Sequence, residues 1–250
     1  MKNRYFIYFS YDGAAYHGWQ IQPNAVTVQQ VMEDALARLL RVPVSMVGAG
    51  RTDAGVNASC MVAHADLPVE VDVKQLVYKL NKILPPDIAV NDMRRVRSDA
   101  HARFDAVSRR YNYWVVTAKS PFARRYACRV MPDVDFDAMN RAAEILYEYT
   151  DFTSFSKLHT DVKTNNCKVK YAAWRQVAEN EWVFEIEADR FLRNMVRAIV
   201  GTLLLVGRGK MTLEDFRAVI ENKARGAAGD SAMGEALFLV GVEYPESLFL

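Results

Sequence analysis

A chain of 250 residues can hold one large domain or two modest ones around a real hydrophobic core. Hydrophobic residues at 51% and charged residues at 25% are ordinary for a soluble globular protein, and no apolar run approaches the roughly 20 residues a membrane helix needs. Met1 to Ile7 enters an alternating, strand-like pattern without a signal-peptide core, and the odd set Cys60, Cys128 and Cys167 lacks metal-ligand spacing. The expectation is a cytoplasmic protein whose cysteines are small buried residues in a reducing compartment.

The net charge of +2 conceals an uneven distribution. From Arg94 to Arg129 nine arginines and one lysine face only Asp99 and Asp105, a local net charge of +8. Asp133 to Asp151 then carries six acids against Arg141 alone. A basic block containing Tyr111, Tyr113 and Trp114 fits a polyanion bound along one face, and fits equally a solvated strand face with cross-strand ion pairs. The predominance of arginine, whose planar fork grips oxyanions at two points, tilts the reading toward phosphate.

In chain order, Tyr5 to Tyr11 alternates as a strand that Asp12-Gly13 ends. Thr27 is a good N-cap for a helix from Val28 to Leu40 with Val28, Val31, Met32, Ala35, Leu36 and Leu39 on one face. Val42 to Val47 and Ser59 to Ala65 read as short buried strands on either side of Gly50-Arg51-Thr52-Asp53-Ala54-Gly55-Val56. Asp72 caps a helix that Pro85-Pro86 stops, and Ile88 to Val96 closes the first half. The second half repeats the order: a long strand from Ala106 to Thr117, a helix from Phe136 to Tyr147, and a short extended Phe152 to Phe155. A hairpin joins Val169–Val177 to Trp182–Glu187, followed by helices Phe191–Val206 and Leu213–Ile220 and a strand Leu237–Val242. Each half thus reads as a split β-α-β, ferredoxin-like unit, residues 1–105 and 106–250, which together would make one α+β catalytic unit with a broad antiparallel-rich sheet.

The Asp53 segment places a carboxylate and the Arg51 guanidinium two residues apart with glycine at both ends, a common way to present a reactive group at a cleft. The plain alternative is a surface turn in which Asp caps an amide. Arg190, Arg193 and Arg197 are expected along one edge of the 191–206 helix. Their company would be neighbouring carboxylates, a substrate phosphate or Asp53 itself, and an arginine within about 4–6 Å would keep that carboxylate ionised for work as a nucleophile or base. On the strand Arg109-Arg110-Tyr111-Asn112-Tyr113, alternation puts Arg109, Tyr111 and Tyr113 on one face; such a tyrosine could stack on an unpaired base or sit half-buried in the sheet. The long loop Tyr11 to Pro23, with Trp19 and Gln20, is too aromatic for disorder. There is no Walker A, His-Glu-x-x-His or Cys-x-x-Cys sequence, His17, His64, His101 and His159 lack ligand spacing, and no second acid is paired with Asp53 as glycoside hydrolysis requires.

Tyr11-Asp12-Gly13, Gly18-Trp19-Gln20, Gln22-Pro23, Thr27-Val28-Gln29, the Asp53 segment, Ala102-Arg103-Phe104, Arg110-Tyr111-Asn112-Tyr113, Asp151 to Phe155, Met195-Val196-Arg197 and Gly201-Thr202-Leu203-Leu204 form an ordered set. In that set, from Tyr11 to Tyr244, the chain resembles the tRNA pseudouridine synthase A (TruA) family. The resemblance implies the pseudouridine synthase fold with a central basic cleft, and an isomerase that breaks the N1–C1′ bond of a tRNA uridine and rejoins the base through C5, with no cofactor and no metal. It implies Asp53 as the catalytic carboxylate, Tyr111 stacked on the uracil, Arg197 paired with Asp53, and Arg51 helping to displace or replace the flipped nucleotide. Gln20, Arg109, Arg110, Arg190 and Arg193 would contact RNA. The substrate would be the anticodon stem-loop, typically positions 38–40, and the enzyme a homodimer. Asn57, Arg193-Asn194 and Met233 to Ala236 depart from the family pattern. Two competing readings are a tRNA-binding or folding factor without catalysis and an N-glycosidic hydrolase releasing free uracil.

Overall fold

A computed structural model describes residues 3–157 and 164–250, so His159 lies outside the described residues. The chain divides into two compact units, Met1–Ser108 with Leu239–Leu250, and Arg109–Phe238. The C-terminal segment Leu239–Leu250 packs with the first unit.

In the first unit the order is β1 (Asn3–Tyr11), α1 (Val28–Leu40), β2 (Met46–Gly48), β3 (Asn57–Leu67), α2 (Val73–Ile83) and β4 (Ile88–Arg95). β1 pairs antiparallel with both β3 and β4, and β2 pairs antiparallel with β3, which is the split β-α-β arrangement. Local chemistry sets the helix starts: the side chains of Thr27 and Asp72 accept the Gln30 and Gln75 amides, each satisfying one of the first-turn donors. Val28, Met32, Ala35 and Leu36 are buried, and Val31 and Leu39 lie at the margin. On β1 both faces are covered, since Tyr5, Phe6 and Ile7 are all at most 1% exposed. Phe6 owes its cover to the C-terminal segment, where Tyr244 and Phe249 pack at ring distances of 4.7 and 6.1 Å. The strand expected over Val42–Val47 forms only from Met46 onward, because Pro43 has no amide to offer a ladder.

The second unit begins with β5 (Ser108–Val116), whose first residue belongs to the first unit, and continues through β6 (Cys128–Arg129), α3 (Phe136–Glu144), β7 (Val169–Ala178), β8 (Glu181–Ala188), α4 (Met195–Gly207) and α5 (Leu213–Glu221). Antiparallel β5-β8-β7 repeats the split pattern, with the short β6 parallel to β5 as an unexpected addition. β9 (Leu237–Glu243) follows α5. α4 is apolar around most of its circumference, as befits a helix buried at the centre of its unit. α3 packs on it, and Phe136 of α3 lies flat on Trp182 with ring centroids 3.8 Å apart. The expected helix to Tyr147 ends at Glu144 and tightens into a 3₁₀ turn, Ile145–Glu148.

Two expectations are corrected. Phe152 to Phe155 is not extended: Thr153–Phe155 is a 3₁₀ turn, because the Asp151 carboxylate accepts both the Thr153 amide and its hydroxyl, at 3.1 and 2.6 Å. The helix expected from Phe191 starts only at Met195, after Asn194 in the left-handed region at φ 67°. Arg190 and Arg193 therefore precede the helix, and only Arg197 lies on it.

Candidate active site

Asp53 sits in the connection between β2 and β3, which is clamped by the long loop after β1. The Trp19 amide donates to the Thr52 carbonyl at 3.2 Å, the Gly55 amide to the Tyr16 carbonyl at 3.4 Å, and the Gly13 amide to Asn57 Oδ1 at 2.8 Å. Beneath them Tyr11 and Thr52 share a buried hydroxyl–hydroxyl bond of 2.8 Å. The Val56 amide donates to the carbonyl of Asp53 at 3.2 Å, closing a turn in which Gly55 takes φ 77°, a conformation costly for any residue with a Cβ. The expected need for glycine at both ends holds at Gly55 alone; Gly50 is not left-handed and a Cβ there would meet open space. Thr52 and Val56 are buried, Asp53 is half-buried, and Arg51 and Gln20 are exposed. A carboxylate is thus held at the surface by a loop fixed from below through main-chain bonds. Asn57, a departure from the family pattern, is 1% exposed and serves as an acceptor for that clamp.

The remaining candidates lie in the second unit. Tyr111 is 8% exposed on β5, opposite Ile186 in the ladder, with its ring edge-on to Phe191 at 5.2 Å. Tyr113, two residues on and fully buried, has a hydroxyl whose proton is held above the usual tyrosine range, chiefly by burial, with Arg197 acting against the shift. Arg197 is thus close enough to act on the Tyr113 hydroxyl. Arg197 is steered by the loop before β9: its Nε donates to the Ala232 carbonyl at 2.7 Å, and the Ala232 amide returns to the Arg197 carbonyl at 3.0 Å. That loop is in turn pinned by Arg225, which donates to Gly229 O and Ser231 Oγ at 3.1 and 2.9 Å, and by Asn194, which donates to Ser231 Oγ at 2.6 Å. The departure at Asn194 thus closes a polar bracket around the start of α4.

The other arginines differ in what they can offer. Arg109 is buried, donating to the Asp189 carbonyl at 2.7 Å, and so supports the strand. Arg110 is half-exposed and pairs with Glu187 at 2.9 Å; Lys170 approaches the same carboxylate at 3.8 Å, so Glu187 keeps a cation if Arg110 turns to a phosphate. Arg193 is exposed and Arg190 half-buried. The sequence points to no role for Arg225, and to none for Thr52 or Asn57 beyond their place in the motif, because the roles of all three arise through side-chain contacts that no local pattern announces. Among the described residues no group of three metal-ligating side chains is poised for a metal ion, and no helix is long and apolar enough to cross a membrane.

His64 is a structural histidine rather than a ligand. Its Nδ1 accepts the Ala102 amide at 3.1 Å, and its ring lies 4.6 Å from His101. Burial, helped by Arg4 and His101, pushes its pKa down from 6.5 to about 4. The unfolded chain therefore binds a proton more readily through that window, so stability falls as pH drops from about 6.5 toward about 4. Denaturant titrations should show wild type losing up to about 2 kcal/mol between pH 7 and pH 5. His64→Gln should show a flatter dependence; equal slopes would remove His64 as the cause.

The sequence pattern described as "tRNA pseudouridine synthase" matches residues 7–105 and 142–245, covering both the Asp53 loop and Arg197. The protein named tRNA pseudouridine synthase A from Bacteroides fragilis is 59% identical over 98% of this chain and 98% of its own length. Its namesake from Bacteroides thetaiotaomicron is 60% identical over 98% of this chain and 92% of its own. At greater distance, that of Exiguobacterium sibiricum is 37% identical, covering 95% of each chain. A match to both units, joined to relatives of this identity along nearly the whole length, leaves one assignment: the chain belongs to the tRNA pseudouridine synthase family.

Proposed function

We infer that this protein isomerises uridine to pseudouridine in tRNA. The observation that carries the reading is its likeness to synthases over nearly the whole length of both partners. The reaction breaks N1–C1′, turns the uracil and forms C5–C1′, while one proton leaves C5 and one arrives at N1, so atoms balance without a co-reactant. In the mechanism we propose, Asp53 attacks C1′ and releases the uracil from N1, and C5 of the turned ring then displaces the Asp53 oxygen from C1′, which returns the free carboxylate. Tyr111 holds the ring in plane as it turns and assists removal of the C5 proton. Arg197 balances the carboxylate charge, and Arg51 occupies the place of the extruded nucleotide. The clamped loop supports Asp53 in that role, since a nucleophile works only when its approach is fixed. The Phe191 edge against Tyr111 supports a ring held in one orientation.

The substrate proposed is the anticodon stem-loop, worked on by a homodimer in the cytoplasm, with Gln20, Arg110, Arg190 and Arg193 toward the RNA and Arg109 acting through the strand. A uridine stacked in a stem is extruded at a cost of a few kcal/mol, which phosphate contacts can offset. Tritium release from tRNA carrying 5-tritiated uridine tests the reading. Wild type should release label without free uracil appearing on chromatography. No release with intact tRNA binding would make the protein a binding factor, and free uracil would make it a hydrolase. Affinity for tRNA should also fall steeply between 50 and 200 mM salt, as polyanion binding by arginines requires; a flat response would remove the phosphate contacts.

A further inference from the structure

The segment between β4 and β5 holds two outward side chains on an unusually well-bonded frame. Phe104 is 75% exposed and Arg103 is exposed beside it, its guanidinium 5.8 Å from the Phe104 ring centre. Nearly every polar main-chain group around them is engaged. His101 Nδ1 accepts the amides of Arg103 and Phe104 at 3.1 and 3.3 Å. The His101 amide donates to Asp105 Oδ2 at 2.6 Å, and the Asp105 amide returns to the His101 carbonyl at 3.0 Å. Tyr244 donates its hydroxyl to the Ala102 carbonyl at 2.6 Å, while Arg4 donates to the Ala100 carbonyl at 2.9 Å. The His101 ring backs Phe104 at 4.2 Å, and buried His64 backs His101.

The fold gains little from this arrangement. A phenylalanine three-quarters exposed returns almost none of the burial energy that normally retains one, yet the loop under it is fixed by bonds to three other stretches of chain, at Arg4, His64 and Tyr244. An exposed aromatic ring with an arginine over it, inside a stretch of local net charge +8, matches a nucleobase with its phosphate. In a duplex the base faces are stacked away, so only an unpaired nucleotide presents such a face. We propose that Phe104 and Arg103 form an RNA contact additional to the residues assigned to the reacting uridine. Phe104 stacks on an unpaired base of the tRNA and Arg103 holds its phosphate. This rests on tRNA being the substrate and adds a subsite that reads single-stranded RNA.

The experiment measures tritium release and tRNA binding for wild type, F104A and F104W, with short-wavelength ultraviolet crosslinking of wild type to tRNA and peptide mapping. F104A should raise KM for tRNA on the order of 10-fold with kcat within about twofold, and F104W should restore it. The crosslinked peptide should contain Phe104. Unchanged KM in F104A, or crosslinks confined to other peptides, would overturn the contact. So would a change in oligomeric state of F104A by light scattering, which would make this face a protein interface. If F104A folds poorly, the wild-type crosslink and F104W still decide. Wild type that crosslinks at Phe104 yet forms no pseudouridine would sink the isomerase reading and leave the contact standing.

Discussion

Asp53→Ala is expected to leave tritium release at background, a fall on the order of 10⁴-fold or more, while tRNA still binds. Asp53→Asn should do the same, since an amide keeps the shape but supplies no nucleophilic oxygen. The fold should tolerate both changes. The loop is held through the carbonyl of Thr52, the amides of Gly55 and Val56 and the buried Thr52 hydroxyl, and the Asp53 carbonyl that accepts the Val56 amide is a group every residue has. Asp53 is only half-buried, so its removal opens no core cavity and the melting curve should move by no more than about 1 kcal/mol. Activity of Asp53→Ala within about tenfold of wild type would take the central role away from this carboxylate. A collapse of stability alongside activity would instead show that the carboxylate holds the loop together.

What the sequence disclosed follows the range of each interaction. The starts of α1 and α2 were legible because Thr27 and Asp72 bond amides three residues on, a code written entirely within one turn. The β7–β8 hairpin was legible because Asn180 accepts the positive φ its tight turn demands. The start of α4 was not. Phe191 and Leu192 continue the apolar period of the helix, and the break at Asn194 is sustained by Ser231, 37 residues away. The same division runs through the candidate site. Asp53, Tyr111 and Arg197 could be nominated as candidates from the order of motifs, whereas the contacts that hold their surroundings could not. Asn57 reaches back to Gly13 across 44 residues and Arg197 forward to Ala232 across 35, and neither partner carries a local pattern that announces the bond.

Gly18→Ala should disable the protein where Gly50→Ala does not, although Gly50 is the nearer to Asp53 in sequence. Gly18 has φ 84°, and a Cβ built there would overlap the Thr52 carbonyl oxygen and press to 3.2 Å from the Asp53 carbonyl carbon. The carbonyl it strikes is the one that accepts the Trp19 amide, so relief of the overlap must lengthen the bond that clamps the loop. The left-handed angle and the overlap together should lower stability by about 1–3 kcal/mol. Activity should suffer more. Displacing a reacting group by about 1 Å costs on the order of 100-fold, and both the carbonyl struck and the one crowded belong to the residues that aim the Asp53 carboxylate. Gly50 has no atom within 4 Å of the added methyl and an ordinary backbone angle, so its alanine variant should keep kcat/KM within a few-fold. Steady-state kinetics and melting of the two variants decide the matter. Equal loss in both would mean that the connection needs flexibility along its length, whereas loss at Gly18 alone means that a clamp fixes where the carboxylate stands.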